Sequence, residues 1–502
     1  MSRFYVVGEL GQTGGCVFLG TLHREELSLS EVVRFSNEPI VENDSLHWNV
    51  PHWYEHVIEG LRSVGLYEEP VSGISCYSWG GGYLLFGADG ALLTPTYHHD
   101  DPRTDGGVKK VMSSVSWETL FAETGVQRDR QNSIFQLGAE PGRRLKTVAH
   151  LLPIADGFNF LLSGVPRVEF SQASATQLFN PVTQNWSEPL VAALRLPAKI
   201  LPGLVPAGTV LGPLRPELVQ QTRLEEAQVI AACSHELAAA LVGLPVEEGQ
   251  HWGFMQPGES TIIGTPIPNP LINDVTRDIG FNNQMGYGRT IIFQKRTAGL
   301  RLLEQCQRFW QATDRSLDWD LLVHLAGSAT PFESLIDPAD ERFRVPGDMP
   351  LKIQAFCKET HQPVPRKPGA VFRCILESLA LLHRRTLQEI EYLAGVRFDR
   401  VYLLDNAANS LFHHFIANAI GLPVVLSSAN LAALGCVLVQ ALALGDLKSL
   451  EEARAVAARS FKFSTLTPQS TAWSTAFERF LALTPARGES QPEVSKASDS
   501  QG

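Results

Sequence analysis

The feature that most constrains the fold is a glycine-rich turn near the start of the chain, between two short apolar segments. Residues Phe4–Val7 and Cys16–Leu19 are apolar, and the residues between them are rich in glycine. Two such segments joined by glycines are typical of a β-hairpin rather than of a strand that leads into a helix. The N-terminus is therefore predicted to begin a sheet with an antiparallel pair.

Further segments alternate between strand and helix patterns. A second hairpin is predicted around Asp89-Gly90, because Asp-Gly suits a tight turn with positive φ. Trp53, Val57 and Leu61 have helical spacing. The sequence also predicts helices at Leu224–Gly243, Arg373–Leu393 and Leu431–Leu444, and a strand at Val401–Leu404. This alternation indicates an α/β protein with helices on a mixed sheet.

The length of 502 residues exceeds what one hydrophobic core usually supports, so two domains are expected. A polar stretch rich in glycine and proline, residues 247–270, marks the boundary. We expect an N-terminal domain at 1–248, a C-terminal domain at 249–460 and an extension at 461–502. The extension should be disordered from about residue 487, because its composition is polar.

Composition and charge exclude several classes of function. The net charge is −11 and no long basic run occurs, which argues against a nucleic-acid partner. The seven cysteines are scattered without a C-x-x-C pair, which argues against a disulfide framework or a zinc site. No signal peptide and no apolar stretch of membrane-spanning length is present. A reducing, cytoplasmic location without a membrane partner is therefore expected.

Several long segments resemble those of one enzyme family. They include LHWNVPHWYEHVIEGL (46–61), HLLPIADGFNFLLSG (150–164) and FRCILESLALLHRRTL (372–387). Together with residues 206–214, 334–365 and 431–446 they cover most of the chain in the family's order. On these segments the chain resembles the FGGY carbohydrate kinases, most closely the rhamnulokinase branch.

The resemblance implies a fold and a reaction. The family has two actin-like, ribonuclease-H-like ATPase domains, with sugar and ATP in the cleft between them. Phosphoryl transfer to a sugar hydroxyl needs backbone donors and Mg²⁺ for the phosphates and a carboxylate base for the hydroxyl. No Walker A motif occurs, so a phosphate-binding hairpin is the available alternative.

The resemblance places that hairpin at the glycine-rich turn, where Gly11, Thr13 and Gly15 would bind phosphates and Glu9 would bind Mg²⁺. Three family residues are changed at this turn: Glu9 replaces an aspartate, Gly14 replaces a hydroxyl residue and Cys16 replaces an arginine. A glycine-rich hairpin without any ligand is the alternative interpretation.

The catalytic base corresponds to Glu236 in the segment Ser234-His235-Glu236, where relatives carry Ser-His-Asp. The extra methylene of glutamate would displace the carboxylate by about 1 Å, which can cost on the order of 10²-fold in rate. The alternative is that His235 and Glu236 only cap a helix N-terminus and complement its dipole.

Two further nucleotide motifs depart from the family. The Gly-Thr pair that clasps phosphate aligns with Gly258-Glu259, so a hydroxyl becomes a carboxylate that would repel phosphate unless a cation intervenes. A solvated acidic loop is the alternative there. In the adenosine turn after Val401–Leu404 only Asn409 matches, and the family's three glycines are missing. Added side chains there would crowd a nucleotide.

The sugar side keeps part of the family pattern. Tyr77 and Gly82 stand where relatives have aspartates. The residues that the resemblance assigns to sugar binding are Trp79, Asp101, Arg103 and His235. Residues 98–101, His-His-Asp-Asp, also resemble a metal cluster, but consecutive loop residues rarely converge on one ion, so a solvated loop is favoured.

Two functions therefore remain open. The first is an ATP- and Mg²⁺-dependent kinase of a ketose-type sugar, possessing an altered active site. The second is a catalytically inactive relative that keeps the fold to bind a sugar or a protein partner. The sequence does not identify the sugar, the oligomeric state or a protein partner.

Overall fold

The computed structural model describes residues 2–67, 69–404, 410–469 and 472–484. Asn409 and the segment from residue 487 onward lie outside the described residues, so the predictions about them stay predictions. No helix within the described ranges is both long enough and apolar enough to cross a membrane.

Among the described residues, the first half of the chain has fourteen strands and ten α-helices. The strands are β1 (Ser2–Leu10), β2 (Gly14–His23), β3 (Glu26–Ser36), β4 (Ile40–Glu42), β5 (Ser45–His47), β6 (Val71–Ser78), β7 (Tyr83–Phe86), β8 (His150–Pro153), β9 (Arg167–Glu169), β10 (Phe179–Asn180), β11 (Asn185–Trp186), β12 (Gly203–Val205), β13 (Thr209–Pro213) and β14 (Gln228–Ala231). The helices are α1 (Val50–Val64), α2 (Thr104–Ser114), α3 (Trp117–Thr124), α4 (Ser133–Gly138), α5 (Gly142–Leu145), α6 (Ile154–Ser163), α7 (Phe170–Ala175), α8 (Glu188–Ala193), α9 (Pro216–Thr222) and α10 (Glu236–Val242).

The second half, within the described residues, has seven strands and nine α-helices. The strands are β15 (Trp252–Gln256), β16 (Ser260–Ile267), β17 (Phe281–Met285), β18 (Ile291–Ala298), β19 (Arg400–Leu403), β20 (Val424–Ser427) and β21 (Phe463–Leu466). The helices are α11 (Asp274–Asp278), α12 (Arg301–Gln311), α13 (Trp319–Ser328), α14 (Met349–Glu359), α15 (Pro368–Ala394), α16 (Ser410–Ile420), α17 (Leu431–Ala443), α18 (Leu450–Ser460) and α19 (Ala472–Leu483). Short 3₁₀ turns occur at Ala198–Ile200, Tyr287–Arg289 and Glu341–Phe343.

The two main sheets share one pairing scheme. The first sheet has the order β13-β14-β6-β1-β2-β3, and the second has the order β17-β18-β16-β15-β19-β20-β21. In the first, β1 to β3 form an antiparallel meander and β6 lies parallel to β1. In the second, β15, β16 and β18 form the meander and β19 lies parallel to β15. The β15–β16 turn of the second sheet thus corresponds to the β1–β2 turn of the first.

Helices α10 and α17 pack against each other and join the two halves. From α17, the Gln440 amide donates hydrogen bonds to the Val6 carbonyl oxygen (3.1 Å) and to the Ser75 hydroxyl (2.9 Å). The Tyr5 hydroxyl donates to Asp446 at 2.7 Å. A helix late in the chain therefore lies on the first sheet. The predicted domain limits stay a prediction, although each sheet is built from one side of the predicted boundary.

The structure corrects two local predictions. The helix predicted over Leu224–Gly243 is wrong in its first part, because Gln228–Ala231 forms β14 between β6 and β13 and the helix begins only at Glu236. The predicted second hairpin is reduced to one bridge between Phe86 and Leu92, because β7 pairs instead with the distant strand β8. In both cases pairing with a distant strand overrides the local pattern.

Candidate functional site

Three chain segments meet at one edge of the first sheet. Strands β1 and β6 run parallel and end side by side, with Glu9 opposite Tyr77. The segment that leads into α10 lies next to β6, where the Ser78 amide donates to the Ser234 carbonyl oxygen at 2.9 Å. This pairing places Glu9, His235 and Glu236, which are distant in sequence, at the same edge.

Glu236 is the first residue of α10 and is partly exposed. Burial of the carboxyl group, and to a smaller extent the negative charge of Glu9, raise its pKa to about 7, and the positive charge of Arg296 partly opposes both effects. A carboxylate that titrates near neutral pH is suited to accept a proton from a hydroxyl group. The geometry therefore agrees with the predicted role of Glu236 as a base, which no observation tests directly.

Glu9 is half-buried at the end of β1, and burial also raises its pKa. The polar side chains of Tyr77 and Asn430 act in the opposite direction and lower that pKa. The Tyr77 hydroxyl also donates to the Asn430 amide oxygen at 3.4 Å. Carboxylate oxygens are the ligands that Mg²⁺ prefers, and Glu236 supplies a second carboxylate nearby. The donor chemistry at Glu9 therefore fits a magnesium ion.

His235 is held with its Nε2 side toward β6. Its Nδ1 accepts the Leu237 amide at 3.2 Å, so that in the neutral ring Nε2 carries the proton. A Cβ added at Gly80 would lie 2.7 Å from the Ala175 Cβ and 3.0 Å from Nε2, so the ring packs closely against the backbone at this glycine. Burial, together with the charge of Arg296, lowers the pKa of His235 to about 4. His235 is thus a neutral donor at physiological pH.

Two buried carboxylates that the sequence analysis did not single out lie behind this loop. The Ser234 hydroxyl donates to Asp156 at 2.8 Å, and the Ser234 amide donates to Glu169 at 3.1 Å. Glu169 also accepts both the amide and the hydroxyl of Ser171, and the Ser171 hydroxyl oxygen accepts the His235 amide at 3.0 Å. These bonds fix the backbone that enters α10.

Burial dominates the titration of both of these acids. It raises the pKa of Asp156 well above its ordinary value and that of Glu169 to about 7. Asp156 is the one acidic residue in the mainly apolar segment 150–164, and a lone acid in such a run is the signal that could have identified it.

The predicted phosphate turn lies between β1 and β2. The Gly11 amide donates to the Gly14 carbonyl oxygen at 3.0 Å, and the Asn37 amide group donates to the Gly11 carbonyl oxygen at 2.7 Å. Thr13 is exposed at the tip and Gly15 is buried at the start of β2. Hydrogen bonds within the protein therefore close the turn, and its tip is exposed to solvent. Phosphate binding at this turn stays a prediction.

The predicted phosphate clasp lies in the corresponding turn of the second sheet, between β15 and β16. The Gly258 carbonyl oxygen accepts the Leu300 amide at 2.8 Å, and that of Glu259 accepts the Arg301 amide at 3.2 Å. The Glu259 side chain is exposed and lines a shallow groove of about 590 Å³ beside α12.

Arg296 is a cleft residue that the sequence analysis missed. It lies on β18 beside the clasp turn, and its Nη1 donates to the Ser260 hydroxyl at 3.4 Å. Its charge acts on both His235 and Glu236. A side chain of the second sheet therefore faces the α10 loop of the first half. The sequence alone could not identify Arg296 as a cleft residue. Side chains alternate between the two faces of β18, and only the fold shows which face lies toward the cleft.

The predicted sugar-binding residues lie in two places: Trp79 and His235 near the end of β6, and Asp101 and Arg103 on the loop before α2. Trp79 directly follows β6 and is buried near His235, which lies next to Gly80. Asp101 is 2% exposed, and its oxygens accept the Leu46 amide at 2.7 Å and the Arg103 amide at 2.9 Å.

Arg103 lies over the Tyr97 ring at 3.6 Å and pairs with Glu140 at 3.1 Å. Asp101 and Arg103 thus have structural partners within their own loop and its neighbours. Their role in sugar binding stays a prediction.

The loop before Asp101 differs from the solvated loop that the sequence favours. His99 is 3% exposed, and the potential ligand atoms of His98, His99 and Asp100 all lie within 4.8 Å of one another. The His98 ring packs on Trp48, with centroids 3.9 Å apart. However, His98 Nδ1 already accepts the Asp100 amide at 3.0 Å. One of the potential ligand atoms is therefore used by a hydrogen bond within the protein.

Family models match both halves of the chain. Residues 33–243 match the N-terminal domain of the FGGY family of carbohydrate kinases, and residues 258–444 match its C-terminal domain. The chain is 32% identical over 485 residues to a rhamnulokinase of Bacteroides thetaiotaomicron, covering 96% of this chain and 99% of that protein. It is 29% identical to a rhamnulokinase of Oceanobacillus iheyensis, covering 93% of this chain and 98% of the relative.

Solved structures show the same fold at low sequence identity. A gluconate kinase from Lactobacillus acidophilus superimposes with a TM-score of 0.79 at 13% identity, covering 96% of this chain and 98% of that one. A xylulose kinase from Rhodospirillum rubrum gives a TM-score of 0.77 at 16% identity, with 96% and 98% covered. The two-domain, actin-like α/β architecture predicted from the sequence is confirmed.

Proposed function

Because the chain belongs to the FGGY family of carbohydrate kinases, we propose that it transfers the γ-phosphoryl group of ATP to a hydroxyl group of a ketose-type sugar. The observation that carries this proposal is the Glu236 carboxylate, which stands at the edge shared by β1, β6 and α10 with a pKa of about 7. General bases work best when their pKa lies near the working pH.

In the proposed reaction Glu236 takes the proton of the sugar hydroxyl while the hydroxyl oxygen bonds to the γ-phosphorus. The bond from phosphorus to the bridging oxygen breaks, and its electron pair leaves on ADP. Mg²⁺, when bound, neutralises phosphate charge, and Glu9 is the side chain that would hold it. The residues proposed to bind the nucleotide are Gly11, Thr13, Gly15, Gly258 and Asn409.

His235 and Trp79 are proposed to hold the sugar next to the base, with Asp101 and Arg103 on the neighbouring loop. His235 is suited to this because its neutral ring presents Nε2–H near β6, where it can donate to a sugar oxygen. The names of the relatives make L-rhamnulose the first ketose to test.

One observation favours a second candidate, a catalytically inactive sugar-binding protein. Tyr77 is 2% exposed, stands where relatives have an aspartate, lies opposite Glu9 in the β1–β6 pair and donates to the Asn430 amide oxygen at 3.4 Å. A buried phenol beside Glu9 takes space and hydrogen bonds that a hydrated metal ion would use. In this candidate the cleft binds a sugar, or a protein partner, without turnover.

Calorimetric titration separates the two candidates. The kinase proposal expects saturable binding of Mg-ATP and ketose-dependent release of ADP, measured across a panel of ketoses that includes L-rhamnulose. Binding of a ketose with no binding of ATP at millimolar concentration would support the inactive candidate and overturn the kinase proposal. Tyr77→Phe serves as a companion variant, because it removes the hydroxyl group and keeps the ring.

A further inference from the structure

Arg296 projects from β18 on the face opposite to that of its neighbour. The Lys295 ammonium group donates to Glu389 of α15 at 2.6 Å, so Lys295 points to the helix-covered face of the sheet. Successive strand residues point to opposite faces, and Arg296 is exposed beside the clasp turn, where it donates to Ser260. Arg296 is therefore the position to test, and Lys295, on the opposite face of the same strand, is the control.

The guanidinium group of Arg296 has unused hydrogen-bonding capacity. It carries five N–H donors, and its one bond to a described side chain is the long contact of 3.4 Å to Ser260. Among the residues that the structure describes, no carboxylate oxygen lies within 4.0 Å of it. Its charge nevertheless acts on His235 and Glu236 across the cleft. Arg296 thus contacts the clasp turn, and its charge reaches the base.

We propose that Arg296 is a catalytic residue that contacts the phosphoryl group during its transfer to the sugar. This inference rests on the proposed kinase function. The group in transit must pass from the phosphate clasp at Gly258 to the hydroxyl beside Glu236, and Arg296 contacts the clasp turn while its charge acts on Glu236. A planar guanidinium group matches the oxygens of a phosphoryl group in a bidentate manner.

Arginines other than Arg296 stand beside Glu259. A carboxylate in the clasp turn would repel the phosphates of ATP unless a cation stood close by. The Glu259 side chain lines the groove beside α12 together with Arg301 and Arg308, whereas Arg296 donates to Ser260. Arg296 would therefore act on the γ-phosphoryl group itself, and ADP, which lacks that group, should not depend on Arg296.

The test compares nucleotide affinities in Arg296→Gln, Arg296→Lys and the control Lys295→Gln. By calorimetry with Mg²⁺ present, Arg296→Gln should weaken ATP binding by about 10-fold or more, as expected for loss of a charged hydrogen bond, while ADP binding stays unchanged. Ketose-dependent turnover should fall by about 10³-fold, the scale seen for arginine contacts to a transferred phosphoryl group. Arg296→Lys should recover part of both losses, and Lys295→Gln should change neither.

Each other outcome has a definite meaning. If the wild-type protein binds ATP and Arg296→Gln leaves the ratio of ATP to ADP affinity unchanged, the inference is overturned and the proposed function stands. This outcome includes an equal loss of ATP and ADP affinity, because a structural defect would act on the binding of both nucleotides. If the wild-type protein binds no nucleotide, the proposed function fails and the inference fails with it.

Discussion

The charge of Glu9, at the end of β1, raises the pKa of Glu236, at the start of α10. These residues come from opposite ends of the first half of the chain, and the parallel pairing of β1 with β6 brings them to one edge. A neighbouring negative charge disfavours the ionised form of a carboxyl group. The same edge of the sheet therefore carries the candidate base, Glu236, and the candidate metal ligand, Glu9.

The first prediction concerns the base. Glu236→Gln should lower ketose-dependent turnover by about 10²- to 10⁴-fold, the usual contribution of a general base. ATP affinity should change little, because the substitution removes the proton acceptor and none of the proposed phosphate contacts. Coupled ADP release and calorimetry measure the two quantities. Glu226→Gln, at an exposed acid before β14, is the matched control, and full activity in Glu236→Gln would exclude this residue as the base.

The second prediction tests the relationship between the two carboxylates without requiring activity. Glu9→Gln should lower the pKa of Glu236 from about 7, because it removes a neighbouring negative charge. The pKa should stay above the ordinary glutamate value, since burial persists. A ¹³C NMR titration of labelled glutamate carboxyl groups measures this shift, and the signal absent from Glu236→Gln identifies the residue. An unchanged pKa would mean that the two groups do not interact.

Local patterns in the sequence predicted most of the elements that build the site. The hairpin of β1 and β2, helix α1, helix α15 and helix α17 all follow from turn residues or from helical spacing. The alanine-rich run that follows β14 favours a helix, so the local pattern alone predicts helix for this strand as well. Its pairing with β6 and β13 depends on residues far away in sequence, which a local window does not contain.

The site itself was predicted only in part. The resemblance supplied Glu9, His235 and Glu236, and the structure brings them together. Arg296 and Glu169 were missed, because their importance depends on what faces them in the fold and not on their own sequence neighbours. The hydrogen bonds that tie Asp101 into its loop were likewise not predictable, since Leu46 lies on a separate segment.

The third prediction concerns the pH dependence of stability. Burial raises the pKa of Glu169 to about 7 from an ordinary 4.5, so between these values the folded protein keeps a proton that the unfolded chain releases. The free energy of unfolding should therefore fall as the pH rises through this window, by about 3 kcal/mol for this residue.

Glu169→Gln keeps the shape of the side chain and removes this titration. The difference in melting temperature between pH 5 and pH 8 should be smaller in Glu169→Gln than in the wild-type protein, and Glu226→Gln should behave like the wild type. Thermal unfolding followed by circular dichroism measures the difference. If Glu169→Gln and the wild-type protein show the same pH dependence, Glu169 is ionised in the folded state throughout this range.

The last prediction concerns the helix crossing that joins the two halves. A Cβ added at Gly435 in α17 would overlap the carbonyl oxygen of Ala239 in α10, whereas nothing lies within 4 Å of a Cβ added at Gly106 in α2. Both glycines are inside helices and neither has a positive φ. Gly435→Ala should therefore lower the stability by about 3 kcal/mol or more, and Gly106→Ala should be neutral or stabilising by up to about 1 kcal/mol.

The crossing also bears on the site, because α10 begins at Glu236 and α17 begins next to Asn430, which bonds to Tyr77. Forcing the helices apart at Gly435 should therefore move Glu236 relative to Tyr77 as well as destabilise the protein. Thermal unfolding midpoints of the two alanine variants measure the first effect, and the NMR pKa of Glu236 in Gly435→Ala measures the second. Equal midpoints for the two variants would show that the helices can separate at Gly435 without a loss of stability. In that case this contact does not fix the position of one half of the chain relative to the other.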